Sequence, residues 1–475
     1  MMRVKKEPFR FTKAFWTANG VELLERLAYY AVFIVLSIYL SNVWGFSDFE
    51  AGLISGIFSA LLYLLPTFSG AYADRIGFRP AIILAFSLLT VGYAGLAILP
   101  TMLQSAGLAE YGFGEGTDSI FSTYLKNFDF VIYGSKTSFH GLQTSVLRWT
   151  IAPVLLLIVI GGSFIKAVIS GTIARETSSE NRAKGYALFY MMVNIGAFCG
   201  KTVVDPLRKA LGDVGLVYLN CFAAFMTLAA LVAVYFMYRS VNSGIKTKNF
   251  SETLYALKKV CTNGRLLALI LIVSGFWTVQ QQLYASMPKY VIRIIGNDAS
   301  PGWYANVNPF IVFVCVNMIT SLMRKRKAIT SMIFGMFIIP FSALLMAAGN
   351  FVGDSYILGF HPVAFMMIVG IVFQALAECF ISPRYLEYFS TQAPKGEEGL
   401  YLGFSHLHSF FSSILAFTTS GILLEKFCPD PRKFSDAQEY ALATGHAHYI
   451  WFIFAGVGIV SAISLVIYNK ITKIN

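Results

Sequence analysis

Charged residues are scarce in this chain. Only 13% of its 475 residues are Asp, Glu, Lys or Arg, whereas 56% are hydrophobic and 15% are aromatic. Soluble domains carry roughly 25% charged residues, so this composition excludes a soluble globular protein. Cysteine motifs are missing too, because the six cysteines are scattered and form no C-x-x-C pair. This excludes a disulfide framework, and we interpret the cysteines as packing residues.

Signatures of catalytic chemistry are also missing. The sequence has no glycine-rich Walker loop and no nucleophile elbow, which excludes ATP-driven transport and a common hydrolase site. The pairs His406-x-His408 and His446-x-His448 are two residues apart, so on a helix their side chains point to different faces and cannot share a metal. We therefore expect a protein that is not an enzyme and has neither a metal nor an organic cofactor.

Long apolar runs take the place of these motifs. Each run reaches the ~20 residues that a helix needs to cross a bilayer. Counting them predicts an all-α, polytopic membrane protein with about twelve spans, placed near 14–40, 49–72, 80–104, 149–174, 185–205, 214–238, 264–290, 302–322, 328–348, 361–387, 399–426 and 446–470.

The formal net charge of +12 follows the topology. Basic residues occur at span ends on alternate loops, as the positive-inside rule describes, so both termini are expected in the cytoplasm and nucleic acid is not an expected partner. The basic N-terminus has no small-residue cleavage site after its apolar run, so we expect an uncleaved first span in the plasma or inner membrane. The basic positions include Arg3, Lys5, Lys6, Arg10, Lys13, Arg75, Arg79, Arg175, Arg182, Lys184, Lys246, Lys248, Lys258, Lys259 and Arg324 to Lys327.

A polar segment near the middle divides the chain. Residues 239–263 are rich in Ser, Asn, Lys and Thr and suit a cytoplasmic linker between an N-terminal six-helix bundle, 1–238, and a C-terminal one, 264–475. The N-terminal bundle carries an extracytoplasmic insertion at 105–148, in which alternating apolar residues at 128–132 suggest a small hairpin. Two bundles of this kind enclose a central cavity.

Charged residues inside the apolar runs are the candidates for function. Glu22, Glu25, Arg26 and Tyr29 follow at i, i+3, i+4 and i+7 and share one helix face, which predicts a stripe that lines a hydrated space. A fixed structural cluster is the alternative.

Each half also contains a lone ionisable residue within a span, Lys166 in the first half and Glu378 in the second. Burying either charge without a partner is prohibitive, so each is expected to meet the other or water. A fixed pair that only supports the fold is the alternative here as well.

The loop after the second span reads GAYADRIGFRP and resembles the cytoplasmic loop signature of the major facilitator superfamily. An acid between two helices can pair with basic residues or a helix N-terminus and hold the cytoplasmic side closed in one state, while glycines allow close helix approach. The resemblance implies a conformational gate formed by Gly70, Asp74, Arg75, Gly77 and Arg79.

The first span, E-x-x-E-R-L-x-Y-Y from Glu22 to Tyr30, resembles the signature of proton-coupled oligopeptide transporters, with Leu27 in the usual Phe position. Five further segments resemble that family in order: IGGSFIKAVIS, LFYMMVNIGAF, SGFWTVQQQ, VNPF and AECFISPRYLEYFSTQAPKG. The resemblance implies a major facilitator fold and import of peptides by alternating access. It implies proton coupling at Glu22, Glu25, Arg26, Lys166 and Glu378, and substrate contacts at Tyr29, Tyr30, Tyr63, Asn194, Trp277, Gln281, Asn308 and Ser382.

Two positions depart from the family pattern. Phe33 stands where peptide-transporting members have an Arg, and Gln281 stands where they usually have an acid. Both members of a charge pair are therefore replaced, which leaves the choice of peptide open. We expect a monomer in the lipid bilayer that takes a peptide or peptide-like solute; a transporter or exporter of a non-peptide metabolite, and a receptor without transport, are the alternatives.

Overall fold

The computed structural model describes residues 11–108, 146–177, 181–239, 262–296, 298–353, 356–392, 404–434 and 436–472. The hairpin expected near 128–132 and most of the linker lie outside these residues, so both stay predictions.

The described residues form an assembly of α-helices with short 3₁₀ turns. The helices are α1 Lys13–Phe33, α2 Leu36–Asn42, α3 Asp48–Leu64, α4 Pro66–Ile76, α5 Phe78–Ser105, α6 Ile151–Arg175, α7 Arg182–Met237, α8 Gly264–Gln280, α9 Gln282–Ala285, α10 Met287–Ile295, α11 Pro301–Met323, α12 Ala328–Ala348, α13 Pro362–Gln392, α14 Leu407–Phe427, α15 Ala437–Thr444 and α16 Tyr449–Thr472.

Helix length and composition agree with twelve crossings. Within the described ranges, nine helices are long and apolar enough to span a membrane, and the bent pairs α1–α2 and α3–α4 raise this number to eleven. One of the nine, Lys184–Met237, has 54 residues and would be about 80 Å long if straight, far more than one crossing needs. It reverses at Gly212, whose φ of 59° and ψ of −138° are not helical, and so supplies the twelfth crossing.

The reversal at Gly212 depends on glycine. A positive φ is accessible to glycine at little cost, and Gly215 packs directly on the Leu207 carbonyl, where a side chain would not fit. The second arm of α7 then runs beside α5. There Thr90 donates a hydrogen bond to Thr227 at 3.2 Å, and Arg79 donates one to the Tyr235 carbonyl at 2.8 Å.

Three of the predicted continuous spans are broken. The predicted span 14–40 bends by 45° between α1 and α2, and 49–72 bends by 47° where Pro66, which has no backbone N–H, begins α4. The predicted span 264–290 consists of α8, α9 and the start of α10, with Pro288 in the first turn of α10. Local interruptions of this kind leave the hydrophobic pattern intact, so hydropathy alone does not detect them.

We call the side of the molecule with the α2–α3 loop the Gly45 face, and the side with the α4–α5 turn the Gly77 face. Small residues bring the two halves together towards the Gly45 face. Gly52 of α3 packs on the Phe417 carbonyl of α14, and Gly421 of α14 packs on the Asp48 carbonyl. Ser59 and Ser413 share a hydrogen bond of 2.9 Å between the same two helices.

Replacement of Gly52 by Ala should destabilise the protein by about 1–3 kcal/mol, because the added methyl group would clash with the Phe417 backbone. Thermal unfolding in detergent measures this as a lower Tm. Gly20→Ala is the matched control, since Gly20 is also helical but has open space around it, and this change should leave Tm unchanged or raise it. Equal Tm values for the two variants would contradict the close packing of α3 on α14.

Candidate functional site

A cavity of about 280 Å³ lies between the two halves. Side chains of both halves form its wall, so any change in the angle between the halves changes its shape. Ten of the residues predicted to have a functional role line it: Arg26, Tyr29, Tyr30, Tyr63, Lys166, Asn194, Trp277, Gln281, Asn308 and Glu378.

The acids of the first helix stand behind this wall. Arg26 forms ion pairs with Glu22 at 2.9 Å and with Glu25 at 2.6 Å, and all three side chains are buried. Arg26 reaches the cavity, whereas Glu25 borders a much smaller void on the other side of Arg26, together with Lys166. Arg26 is therefore the charged residue of α1 that lines the cavity, and Glu22 and Glu25 neutralise Arg26 without lining the cavity themselves.

Lys166 reaches the cavity from α6. Its ammonium group donates a hydrogen bond of 3.2 Å to the Leu62 carbonyl and lies 4.0 Å from the centre of the Tyr63 ring. It also interacts electrostatically with Glu22 and Glu25. Arg26 opposes this attraction, and no ion pair joins Lys166 to an acid among the described residues; the charges that act on Lys166 belong to its own half of the protein.

Glu378 reaches the cavity from α13 in the other half. Its carboxylate accepts hydrogen bonds from the Gln280 amide at 2.7 Å and from the Asn308 amide at 3.2 Å. Among the described residues no ion pair joins it to Lys166, so the two side chains share one cavity without the direct pairing that the sequence suggested. Lys166 and Glu378 both line the cavity, and an ion pair between them stays a prediction for another conformation.

Lys201 is a further ionisable residue of the cavity wall, and one that the sequence analysis missed. It lies on α7, is 1% exposed and lines the same cavity. Lys201 and Glu378 interact electrostatically across the space between the halves. Lys201 shares the predicted span 185–205 with Asp205, so the criterion of a lone ionisable residue, which singled out Lys166, did not select it.

Aromatic rings form the wall towards the Gly45 face. The Phe33 ring lies 5.0 Å from the Tyr29 ring, 5.4 Å from the Tyr284 ring and 5.7 Å from the Phe417 ring. Phe33 therefore occupies an apolar contact between the halves. Gln281, which stands where the family usually has an acid, donates hydrogen bonds to Ser412 and Ser413 at 3.2 and 2.9 Å. Both departures from the family pattern are accommodated by neutral contacts.

Ser382 is a correction to the predicted substrate site. It does not belong to the described cavity wall, and its buried hydroxyl finds no hydrogen-bond partner among the described residues. Ser382 follows Glu378 by one helical turn, which carries it along α13 and away from the cavity. The family motif predicts where Ser382 lies in the sequence, but not whether its side chain reaches the cavity. Asn194 does line the cavity, with its amide donating to the Tyr190 carbonyl at 2.8 Å.

The predicted gate residues lie at the Gly77 face and contact their own half. Asp74 pairs with Arg175 of α6 at 2.9 Å, and its role in a gate stays a prediction. Gly77 is the single residue between α4 and α5, and its φ of 91° is a conformation that favours glycine. Gly70 approaches Ala167 closely. In this conformation the motif fixes α4 against α6.

A polar network that the sequence analysis did not identify joins the halves at the Gly45 face. The Asp48 carboxylate receives hydrogen bonds from Lys289 at 2.6 Å and from Arg293 at 2.7 and 2.9 Å. All three side chains are buried. In the following loop, burial would raise the pKa of Asp430, but the Arg432 and Arg293 guanidinium groups hold it well below its usual range.

The part of α7 just before its reversal at Gly212 and the beginning of α11 extend this closure. Asp205 accepts a hydrogen bond of 3.0 Å from the Trp303 backbone N–H, and Asn306 donates one of 2.9 Å to Thr202. Lys209 donates to the Asp298 carbonyl at 3.1 Å. The polar contacts between the halves thus cluster on the Gly45 side of the cavity.

Known proteins share this architecture. The family model of the Major Facilitator Superfamily matches residues 137–352. Dipeptide and tripeptide permease B of Photorhabdus asymbiotica is 25% identical over 96% of each chain, and that of Salmonella typhimurium is 24% identical over 96% of each chain. Along nearly its whole length the chain is similar to these permeases. It is a multi-pass membrane protein whose relatives are dipeptide and tripeptide permeases.

Solved structures agree with this family in fold. The POT family transporter PepTSo superposes with a TM-score of 0.69 at 17% identity, covering 98% of this chain and 99% of the other. A POT family transporter solved with 5-aminolevulinic acid gives a TM-score of 0.66 at 16% identity over 96% of each chain. The expected major facilitator fold is confirmed.

Replacement of Asp48 by Asn should destabilise the protein by about 3–5 kcal/mol, because it leaves Lys289 and Arg293 buried without their counter-charge. The measurement is Tm in detergent at low and high salt. Glu50→Gln two residues away is the control: Glu50 pairs with Arg148 at a partly exposed site, so its loss should cost less than about 1 kcal/mol. A smaller effect at Asp48 than at Glu50 would contradict the assigned network.

Proposed function

We propose that this protein is a proton-coupled symporter that imports small peptides or peptide-like solutes by alternating access. The observation that carries the proposal is the cavity between the halves, in which Glu378 and Lys166 face one enclosed space from opposite bundles. Ionisable residues within membrane spans are costly and mark substrate or proton pathways. The dipeptide and tripeptide permeases that match along the chain support the substrate class.

The size of the cavity supports a small solute. Ligand pockets commonly enclose about 300–1,000 Å³, and this cavity of about 280 Å³ lies near the lower end. Its wall offers amides, phenols and charges of both signs, which suit the ammonium, carboxylate and amide groups of a short peptide. No organic cofactor or metal enters the proposal; protons are the coupling ion, and the working unit is a monomer.

The contacts between the halves support an inward-facing conformation. The networks around Asp48 and between α7 and α11 close the Gly45 face, whereas the basic loops that the positive-inside rule assigns to the cytoplasm, including Arg75 and Arg79, belong to the Gly77 face. We therefore assign the Gly77 face to the cytoplasm, with both termini on that side.

Glu378 is the proposed proton acceptor because its contacts suit both protonation states. Two neutral amides hold the carboxylate, and neither amide becomes an unpaired charge when a proton arrives. Protonation removes the attraction between Glu378 and the cations of the opposite half, Lys201 in this state and Lys166 in the proposed cross-half pair. The halves are then free to change their angle, as alternating access requires. Glu22, Glu25 and Arg26 form the second proposed proton site.

The driving force is adequate. A proton that crosses a potential of 100 mV releases ~2.3 kcal/mol, and each unit of pH difference adds ~1.36 kcal/mol. Coupling one proton to one solute therefore supports roughly tens-fold to hundreds-fold accumulation.

Glu378→Gln should abolish uptake driven by a pH gradient in proteoliposomes, because the amide cannot take up the coupling proton. Counterflow exchange, which needs no net proton movement, should continue. The measurement is accumulation of a labelled peptide, first with an acidic exterior and then with preloaded vesicles. Glu439→Gln is the control, since Glu439 is exposed on α15 and forms no ion pair within the described residues, and it should transport normally.

The result of this pair of variants separates proton coupling from binding. Undiminished acid-driven accumulation by Glu378→Gln contradicts the assignment of Glu378. Loss of both acid-driven uptake and exchange indicates that Glu378 serves substrate binding or folding instead.

A further inference from the structure

The charges around the cavity balance when every group is ionised. Arg26, Lys166 and Lys201 provide three positive charges, and Glu22, Glu25 and Glu378 provide three negative ones. The positions of these groups divide them into two sets. Arg26 pairs directly with Glu22 and Glu25, and Lys166 borders the same small void as Glu25. Lys201 and Glu378 line the cavity from opposite halves, and Glu378 is the acid among the lining residues.

Lys201 is built into its place by neutral groups. Its ammonium group donates a hydrogen bond of 3.1 Å to the Ala305 carbonyl and lies 5.5 Å from the Tyr30 ring and 5.9 Å from the Tyr284 ring. An ammonium group has three donors, and among the described residues only the Ala305 carbonyl accepts one of them. Two donors therefore remain for a ligand in the cavity that Lys201 lines.

Proton uptake unbalances Lys201. This step rests on the proposed function, in which Glu378 takes up the coupling proton. The cavity then carries a net charge of +1, and Lys201 loses its counter-charge while it stays 1% exposed. A buried cation without a counter-charge is strongly disfavoured, so the protonated cavity favours a ligand that supplies a carboxylate at Lys201.

We propose that Lys201 is a substrate-binding residue that makes the protein prefer peptides with a net charge of −1, that is, short peptides with an acidic side chain. The extra carboxylate is placed to accept hydrogen bonds from Lys201 between the Tyr30 and Tyr284 rings. A neutral peptide of the same size leaves the cavity with its excess positive charge.

The test compares two peptides of nearly equal shape, Ala-Glu and Ala-Gln, in proteoliposomes with an imposed pH gradient. The wild-type protein should take up Ala-Glu at least ~10-fold more efficiently, the factor that corresponds to about 1.4 kcal/mol. In Lys201→Gln this ratio should fall to about 1, chiefly through weaker uptake of Ala-Glu. Lys201→Arg keeps the positive charge and should keep a preference for Ala-Glu.

Lys209→Gln is the matched control, because Lys209 lies two turns further along α7, outside the described cavity wall, and bonds to the Asp298 carbonyl. It should keep the wild-type ratio. If Lys201→Gln does not fold, thermal shifts of the wild-type protein decide: Ala-Glu must stabilise it at lower concentration than Ala-Gln.

The outcomes separate this inference from the proposed function. Equal uptake of Ala-Glu and Ala-Gln by the wild-type protein, or an unchanged preference in Lys201→Gln, overturns the role of Lys201 and leaves peptide symport intact. Absence of pH-driven uptake of either peptide by the folded wild-type protein overturns the proposed function, and the inference with it.

Discussion

Neutralisation of buried charge is the constraint on which this structure depends. An uncompensated ion in an apolar interior is so costly that each charged side chain must have a counter-charge or a route to water. At the cavity, three cations and three acids satisfy this requirement together. The arrangement leaves the charge of Glu378 to be balanced across the gap between the halves, so a proton at this position alters the attraction between two rigid bundles.

The same constraint acts differently at the Gly45 face. There the ion pairs of Asp48 with Lys289 and Arg293 are direct, multiple and buried, so opening this face requires separating them. The adjacent loop does not weaken with moderate acidification, since the pKa of Asp430 is depressed and its stabilising contribution stays complete at every pH above the ordinary carboxyl pKa; the contribution is lost progressively only below that value. A proton gradient across the membrane therefore leaves this loop unchanged and acts at the cavity.

The family resemblance predicted neutral residues of the cavity wall, such as Tyr63 and Asn308, whereas the twelve spans and three charged wall residues depend on local signals, namely apolar length and ionisable residues within apolar runs. Arg26, Lys166 and Glu378 were found in this way and share the cavity. Other features depend on distance in space. Asp48 and Lys289 are 241 positions apart and meet only when the halves pack. Ser382 lies one turn beyond Glu378 on the same face of α13, and whether it lines the cavity depends likewise on where the packed halves end that cavity.

Lys201 shows how a transporter can keep a charge balance while its motif residues change. Phe33 and Gln281 remove one cation and one acid from the expected pattern, and both positions are filled by neutral contacts with neighbouring helices. Lys201 lies beside Tyr284, the ring that Phe33 also contacts, and so provides a cation to the same part of the cavity from another helix. Since the ligand meets the charge and not the helix that carries it, the proposed preference for an acidic peptide follows from where the ammonium group lies, beside the aromatic contact that Phe33 makes.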